Sequence, residues 1–397
     1  MRISTSGSHL SALSMMQQLQ SAIDRTQQQL STGRRLLSPA DDPIAAARTV
    51  EMRESLSRLD QFDRNGEVAR NRLNYEETAL VSVNDALQRI RELAIQGNND
   101  TQSPQSRSLI AAELRERVDQ LVQIANQRDG SGRYLFAGNR DSTAPVSRQG
   151  NAFAYAGDQG QRLIQIGADR QIPDGDSGAA IFFQIKDGNG TFSSSAANGN
   201  TGTGVVSVNS VMDQSQYDRD SYTVRFTASD SYDVLDSGGA IVSSNSFASG
   251  DSIAFSGIRF TIDGAPAAGD EFNIEPSRNV DMFSNVLNLA NILEQPVSSD
   301  AERAGLHNGV NAALQNLDQA IDNILTVRTQ VGTRLSAIDS QVDSNASFRL
   351  NLETSISGIE ELDYAEAISR LSIQATTLEA AQQSFIRTQG LSLFNFL

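Results

Sequence analysis

The feature that most constrains this 397-residue chain is a spacing. From Met52 onward, apolar residues fall at Leu59, Phe62, Ala69, Leu73, Leu80, Val83, Leu87, Ile90 and Ala94, separated by combinations of three and four. That is the period of one helix face, and Gly66 is the only glycine between Pro43 and Gln96. Unbroken, such a helix extends roughly 80 Å at about 1.5 Å per residue. A rod of that length needs partner helices along its apolar stripe.

The chain supplies them. Residues 104–128 place Ile110, Leu114, Val118, Leu121 and Ala125 on one face. Far along the sequence, Val310, Leu314, Leu317, Ile321, Ile324, Val331, Leu335, Ile338 and Val342 follow the same rule. Arg328 occupies a seam position there, from which its head can reach outward along an apolar stem. Asn345 and Arg349 weaken the stripe before Leu352, Ile356 and Ile359 resume it. The spacing therefore predicts a long antiparallel helical bundle formed by both chain ends.

The extreme ends repeat the pattern weakly. Met16, Ile23 and Leu30 lie seven apart with Leu13 and Leu19 nearby, and Ile368, Leu371, Ala375, Leu378, Ala381 and Phe385 form a second stripe. Their intervening positions are Gln, Ser and Thr, and isolated helices this short are marginal in water. They are expected to fray in the monomer and to order as coiled coil against each other or against neighbours. The tail, with Leu391, Leu393, Phe394, Phe396 and Leu397, either folds back on its own bundle or meets another subunit or a chaperone. Left open, it would promote aggregation. The candidate assembly surface is thus Leu13, Met16, Leu19, Ile23, Leu30, Ile368, Leu371, Leu378, Phe385, Leu393, Phe394 and Phe396.

Between the terminal and long helices stands "LSTGRRLLSPADDPIAAAR" (30–48), which reads as a joint. Gly33 can end the first helix in a left-handed cap, and Ser38 before Pro39 favours extended backbone. Asp42 is placed to cap the next helix, with Pro43 at its first position. Asp41 and Asp42 suit the positive end of that helix. Arg34 and Arg35 are expected to be solvated or to pair across a subunit boundary.

From 146 to 277 glycine, serine, asparagine and aspartate dominate, and short alternating runs such as "SYTVRFTAS" and "SIAFSGIRFTI" read as strands between turns. "SSSAANGNTGTG" (193–204) reads as a mobile loop. The expected architecture is mainly α with an inserted β domain (α+β) and discontinuous domains. Residues 1–40 and 360–397 make a terminal coiled-coil segment, 41–145 and 278–359 the long bundle, and 146–277 a β-rich outer domain.

Little in the sequence carries chemistry. A net charge of −16 argues against a nucleic-acid surface, and with no cysteine there is no disulfide or thiolate site. No apolar run reaches the eighteen or so residues of a membrane span. His9 and His307 stand alone, "DGDSG" (174–178) and "DGNG" (187–190) lack the glutamate of a calcium loop, and "GTGVVS" (202–207) lacks a third fingerprint glycine. Glu76–Glu77 and Glu360–Glu361 read as solvated helix faces. No enzyme activity, metal or cofactor is expected.

Several motifs bear a family resemblance: "MRIST" at the start, "QLSTGRRLLSPADDPIAA" (29–46), "GRYLFAGN" (132–139), "DYAEAISRLSIQ" (363–374) and the terminal "LSLFNFL". On these the chain resembles the flagellar hook–filament junction family, the third hook-associated proteins, which are relatives of flagellin. Flagellin shares the plan, but its usual N-terminal pattern begins differently and lacks the proline after the paired aspartates. "GIRFTIDGAPAAGDEFNIEP" (257–276) is similar to a β segment that recurs in hook-associated proteins. The resemblance implies export through the flagellar type III apparatus, a cytoplasmic chaperone on the C-terminal apolar stripe, and a homo-oligomeric ring between another hook-associated protein and flagellin. It also implies terminal helices lining an inner tube, with the β domain outermost and no membrane insertion. A filament subunit of the flagellin type is the alternative, and a secreted binding module using the β domain is the more distant one.

Overall fold

The computed structural model describes residues 5–390. Leu391, Leu393, Phe394, Phe396 and Leu397 of the apolar tail lie outside the described residues, as does the opening "MRIS". Six helices are described: α1 (Thr5–Thr32), α2 (Pro43–Gly97), α3 (Pro104–Ala125), α4 (Met282–Leu293), α5 (Asp300–Glu360) and α6 (Tyr364–Gly390). The chain forms two compact units, one of residues up to Arg64 and from Ser340 on, the other Asn65–Asp339, with α2 and α5 contributing to both.

In the larger unit the expected seams are buried: Ala69, Leu73, Leu80, Val83, Leu87, Ile90 and Ala94 of α2, the five named positions of α3, and Val310, Leu317, Ile324, Val331 and Ile338 of α5. Arg328 leaves its seam for Glu77 on α2, 2.7 Å away. Unforeseen in the sequence is α4, whose Met282, Phe283, Val286, Leu287, Leu289, Ala290 and Leu293 are all buried, capped at its start by Asp281. A single helix of twelve residues shows only about three turns of period, too little to separate it from the strands before it.

The insertion is antiparallel throughout. Two small hairpins, β1 (Val146–Gln149) with β2 (Ala152–Tyr155) and β3 (Leu163–Gln165) with β4 (Gln171–Pro173), lead to a π-helical turn at Ala179–Phe183 and to β5 (Ile185–Lys186). Then come β6 (Phe192–Ala196), β7 (Val205–Val211), β8 (Tyr222–Ala228), β9 (Ser231–Leu235), β10 (Ile241–Ser246), β11 (Ser252–Phe255), β12 (Ile258–Asp263), β13 (Glu271–Pro276) and β14 (Asn279–Val280). Among the described residues these form a five-stranded sheet, β10–β9–β8–β13–β6, and a three-stranded sheet, β11–β12–β7, while β14 returns to β5. Alternate residues Tyr222, Val224 and Phe226 point inward and join Phe192, Phe260, Phe272 and Ile274 in one core shared by both sheets. The expected loop at 193–204 is corrected in two places. Its first residues are strand β6, paired with β13, and the backbone N–H groups of Thr201 and Gly202 donate to the Asp270 carboxylate at 2.7 and 3.0 Å.

Within the larger unit, α5 grips the β region through side-chain amides. Asn308 accepts from Val206 N–H and donates to the Gly204 carbonyl, completing the edge of β7 as a neighbouring strand would. Asn311 donates to the Val206 carbonyl, Gln315 accepts from Asn209, Asn316 accepts from Gly188 N–H, and Asn323 donates to the carbonyls of Ala180 and Ile181. An open sheet edge is thereby satisfied without a further strand. The signal was present as Asn308, Asn311, Gln315, Asn316 and Asn323 at helical spacing beside the apolar stripe.

The reading of Glu76 and Glu77 as a solvated pair is overturned. Glu77 holds Arg328, and Glu76 is only 1% exposed. Glu76 stands three residues after Leu73 and four before Leu80, on the seam itself. It faces a buried charge network: Arg72 bonds Asp129 at 2.7 Å and approaches Asp174, Arg162 also pairs with Asp174, and Arg334 pairs bidentately with Asp176. The Asp176 N–H donates to one Glu76 oxygen at 3.1 Å, and the other has no hydrogen-bond partner. Burial, and then the Asp176 charge, push the Glu76 carboxyl up to about 8. "DGDSG" is therefore a charge-locked turn, and the same network fastens Tyr134 and Leu135 of "GRYLFAGN" through their carbonyls to Arg72.

Candidate assembly surface

In the smaller unit the joint carries most of the polar order. Gly33 has φ +69° and its N–H donates to the Gln29 carbonyl, a left-handed cap as expected. A Cβ there would also come within 2.8 Å of the Tyr364 hydroxyl. Asp42 caps α2 by accepting from Ala45 N–H at 3.0 Å, with Pro43 as the first helical residue. Asp41 behaves otherwise than expected. Its carboxylate accepts from the N–H groups of Ser38 and Leu37 and pairs with Arg25, so it braces the Ser38–Pro39 turn and not the helix end. These bonds, the Ser38 N–H foremost, hold its carboxyl below the usual range. Arg35, itself exposed, donates to the Ile359 carbonyl of its own chain at 2.6 Å.

A second joint, missed in the sequence, lies beside the first. Asp363 caps α6 by accepting from Ala365 and Glu366 N–H. Arg34 and Glu361 form an antiparallel bridge, flanked by Arg35 N–H to the Glu360 carbonyl at 2.7 Å and Leu362 N–H to the Gly33 carbonyl at 3.0 Å. Arg53 binds both Glu360 oxygens, so Glu360 is not a solvated face either. The two interruptions of the helical rods are thus stitched to each other.

Beyond the joints, α1 and α6 pair. Met16, Leu19, Ile23 and Leu30 of α1 and Leu371, Leu378 and Phe385 of α6 are half-buried. His9 meets Phe385 edge-on at 5.5 Å, and the buried Thr26 bonds Gln374 at 3.0 Å, a polar contact that fixes register. Leu13 and Ile368 are not drawn into this pair. They are 46% and 58% exposed, and Leu10, Met15, Ile373 and Ile386 share that exposure. Of the twenty large hydrophobics exposed among the described residues, eleven belong to this smaller unit. Scattered exposed hydrophobics are ordinary, whereas this concentration makes the unit the candidate contact surface of the chain. Among the described residues there is no group of three or more side chains able to hold a metal ion.

Two helical ends, a stitched double joint and an uncovered terminal pair define a flagellin-type chain. Residues 3–141 match the bacterial flagellin N-terminal helical region, and 314–397 the C-terminal helical region. The crystal structure of Xanthomonas campestris FlgL is 35% identical, superposes with a TM-score of 0.73, and covers 77% of this chain and 99% of its own. The flagellar hook-associated protein 3 of Legionella pneumophila is 28% identical with a TM-score of 0.74, covering 78% and 98%. Flagellar hook-associated protein 3 of Escherichia coli K12 is 27% identical over 368 residues, 92% of this chain and 90% of that protein. The chain belongs to the flagellar hook-associated protein 3 family, FlgL.

Proposed function

We propose that this chain is a structural subunit of the bacterial flagellum that polymerises as a ring at the hook–filament junction, joining a hook-side hook-associated protein to flagellin. The observation that carries this reading is the unfinished terminal pair. The helices α1 and α6 bury one face against each other and leave Leu10, Leu13, Met15, Ile368, Ile373 and Ile386 for neighbours. The segments 1–40 and 360–397 form the inner layer, 41–145 and 278–359 the next shell, and 146–277 the outer domain. Before assembly α1 and α6 are weakly ordered, and contact with neighbours orders them. A cytoplasmic chaperone shields the C-terminal stripe until the chain passes the flagellar export apparatus. The role is architectural, without catalysis.

Immunogold labelling of flagella, with a deletion strain, tests the placement. Gold is expected only at the hook tip, and the deletion is expected to release flagellin monomers into the medium. Uniform labelling along the filament would overturn the junction role in favour of a filament subunit.

A further inference from the structure

Four asparagines of the chain precede glycine: Asn65, Asn189, Asn198 and Asn308. Glycine has no side chain to shield its backbone nitrogen, so the asparagine before it can cyclise onto that nitrogen unless the fold holds the two apart. Three of the pairs are held. Asn65 and Gly66 lie within α2, where helical bonding keeps each N–H along the axis, and the Asn65 amide donates to the Gln165 carbonyl at 2.7 Å. Asn308 and Gly309 lie within α5, with the Asn308 amide spent on the edge of β7. The Asn189 oxygen accepts from the N–H groups of Thr191 and Phe192 at 3.0 and 2.9 Å, and the Gly190 N–H donates to the Asp187 carbonyl at 3.2 Å. Asn198 differs. With Gly199 it forms the exposed tip of the turn between β6 and β7, and among the described residues no hydrogen bond engages its side chain or the Gly199 N–H. The turn is anchored just outside this tip, where the Ala197 N–H and the Asn200 amide both donate to the Glu271 carbonyl at 2.9 Å. A Cβ at Gly199 would meet nothing within 4 Å, so the tip is open to water on that side.

We propose that Asn198 is a site of self-catalysed modification, at which the folded protein converts an asparagine to isoaspartate and aspartate without an enzyme. The Gly199 nitrogen attacks the Asn198 Cγ. A C–N bond forms, the bond from Cγ to Nδ2 breaks, and Nδ2 leaves as ammonia with the proton of the Gly199 N–H. One water then opens the succinimide ring. Attack at the side-chain carbonyl gives aspartate, and attack at the main-chain carbonyl gives isoaspartate, whose backbone runs through Cγ and is one carbon longer. In sum an amide and a water become a carboxylic acid and ammonia. The tip thereby gains a negative charge beside the groove that Asn198 shares with Glu302 of α5.

The test ages the full-length protein in warm, mildly alkaline buffer and follows each asparagine by peptide mass spectrometry. Cleavage after Lys186 and Arg219 places Asn189 and Asn198 in one peptide, so the held pair is an internal reference for the open one. Asn198 is expected to convert at least about tenfold faster than the other three, because each of those must first open locally. In urea, where nothing holds them, all four are expected to convert at similar rates. Labelling of the product by an isoaspartyl methyltransferase is expected to find isoaspartate at 198, the mark of the ring route. Gly199→Ala puts a methyl group into open space at a backbone angle outside the left-handed region, so it should keep the fold while slowing conversion. Conversion of Asn189 as fast as Asn198 in the folded protein would overturn the proposal. So would a difference between them that persists in urea, aspartate without isoaspartate at 198, or an unchanged rate in Gly199→Ala.

Discussion

Replacing Glu76 by Gln is expected to make the larger unit more stable at neutral and alkaline pH. The unfolded chain loses this proton near 4.5, whereas the folded chain keeps it to about 8. Between those values the folded state binds more protons, so its stability falls as pH rises, by about 1.4 kcal/mol per pH unit. The contribution is fully present below pH 4.5 and lost by pH 8, a swing on the order of 5 kcal/mol. Glutamine has the same shape, keeps an oxygen for the Asp176 N–H, and has nothing to ionise. The substituted protein should therefore resemble the original near pH 5 and exceed it by several kcal/mol at pH 8. Urea unfolding read by hydrogen exchange over residues 129–178 follows this region by itself. Carboxylates remote from Glu76 titrate in both proteins and cancel in the difference, while Asp176 belongs to the same site. Parallel stability–pH curves for the two proteins would refute the assignment of a buried, neutral Glu76.

Other expectations follow from the joints and the open helix faces. Gly33→Ala meets both a left-handed backbone and the Tyr364 hydroxyl, and should cost at least about 1–2 kcal/mol in thermal unfolding of the smaller unit. Asp42→Ala removes the cap of α2 and should cost about 1 kcal/mol, seen as faster amide exchange at Ala45 and Ala46. The pair Ile368→Gln and Ile373→Gln should leave the circular dichroism of the monomer unchanged while abolishing polymerisation in sedimentation assays, since both side chains are exposed in the single chain. In limited proteolysis of the monomer, 1–40 and 360–397 should be cut before the long bundle, and equal protection would remove the coupling between ordering and assembly.

Where the sequence could be read, it was through repetition. The seams of α2, α3 and α5 recur over many turns, so Leu73 to Ala94 and Val310 to Ile338 are legible in the sequence. The Gly33 cap and the Asp42–Pro43 start were legible because each residue type answers one backbone need. What escaped was what depends on partners distant in sequence. Glu76 was passed over as surface although it stands on the seam, because its neutralisation requires Asp176 and Arg334 from two other segments. Asp41 looked like a helix-end charge, yet the nearer N–H groups of Leu37 and Ser38 claim it. The second joint left only Asp363 before the last helix as its mark, and its meaning comes from Gly33 and Arg35, more than three hundred residues away. The two weak terminal stripes were legible, but the side each helix leaves open became visible only once they were paired.

The bridge between Arg34 and Glu361 has a mechanical consequence. Because the two crossings are bonded backbone to backbone, a pull or twist on one terminal helix is borne by both segments in parallel. Load along the strands meets the Arg35–Glu360 and Leu362–Gly33 bonds in shear, all at once, not one after another as in a zipper. Two covalent cables lashed together in this way resist being unspooled better than either would alone.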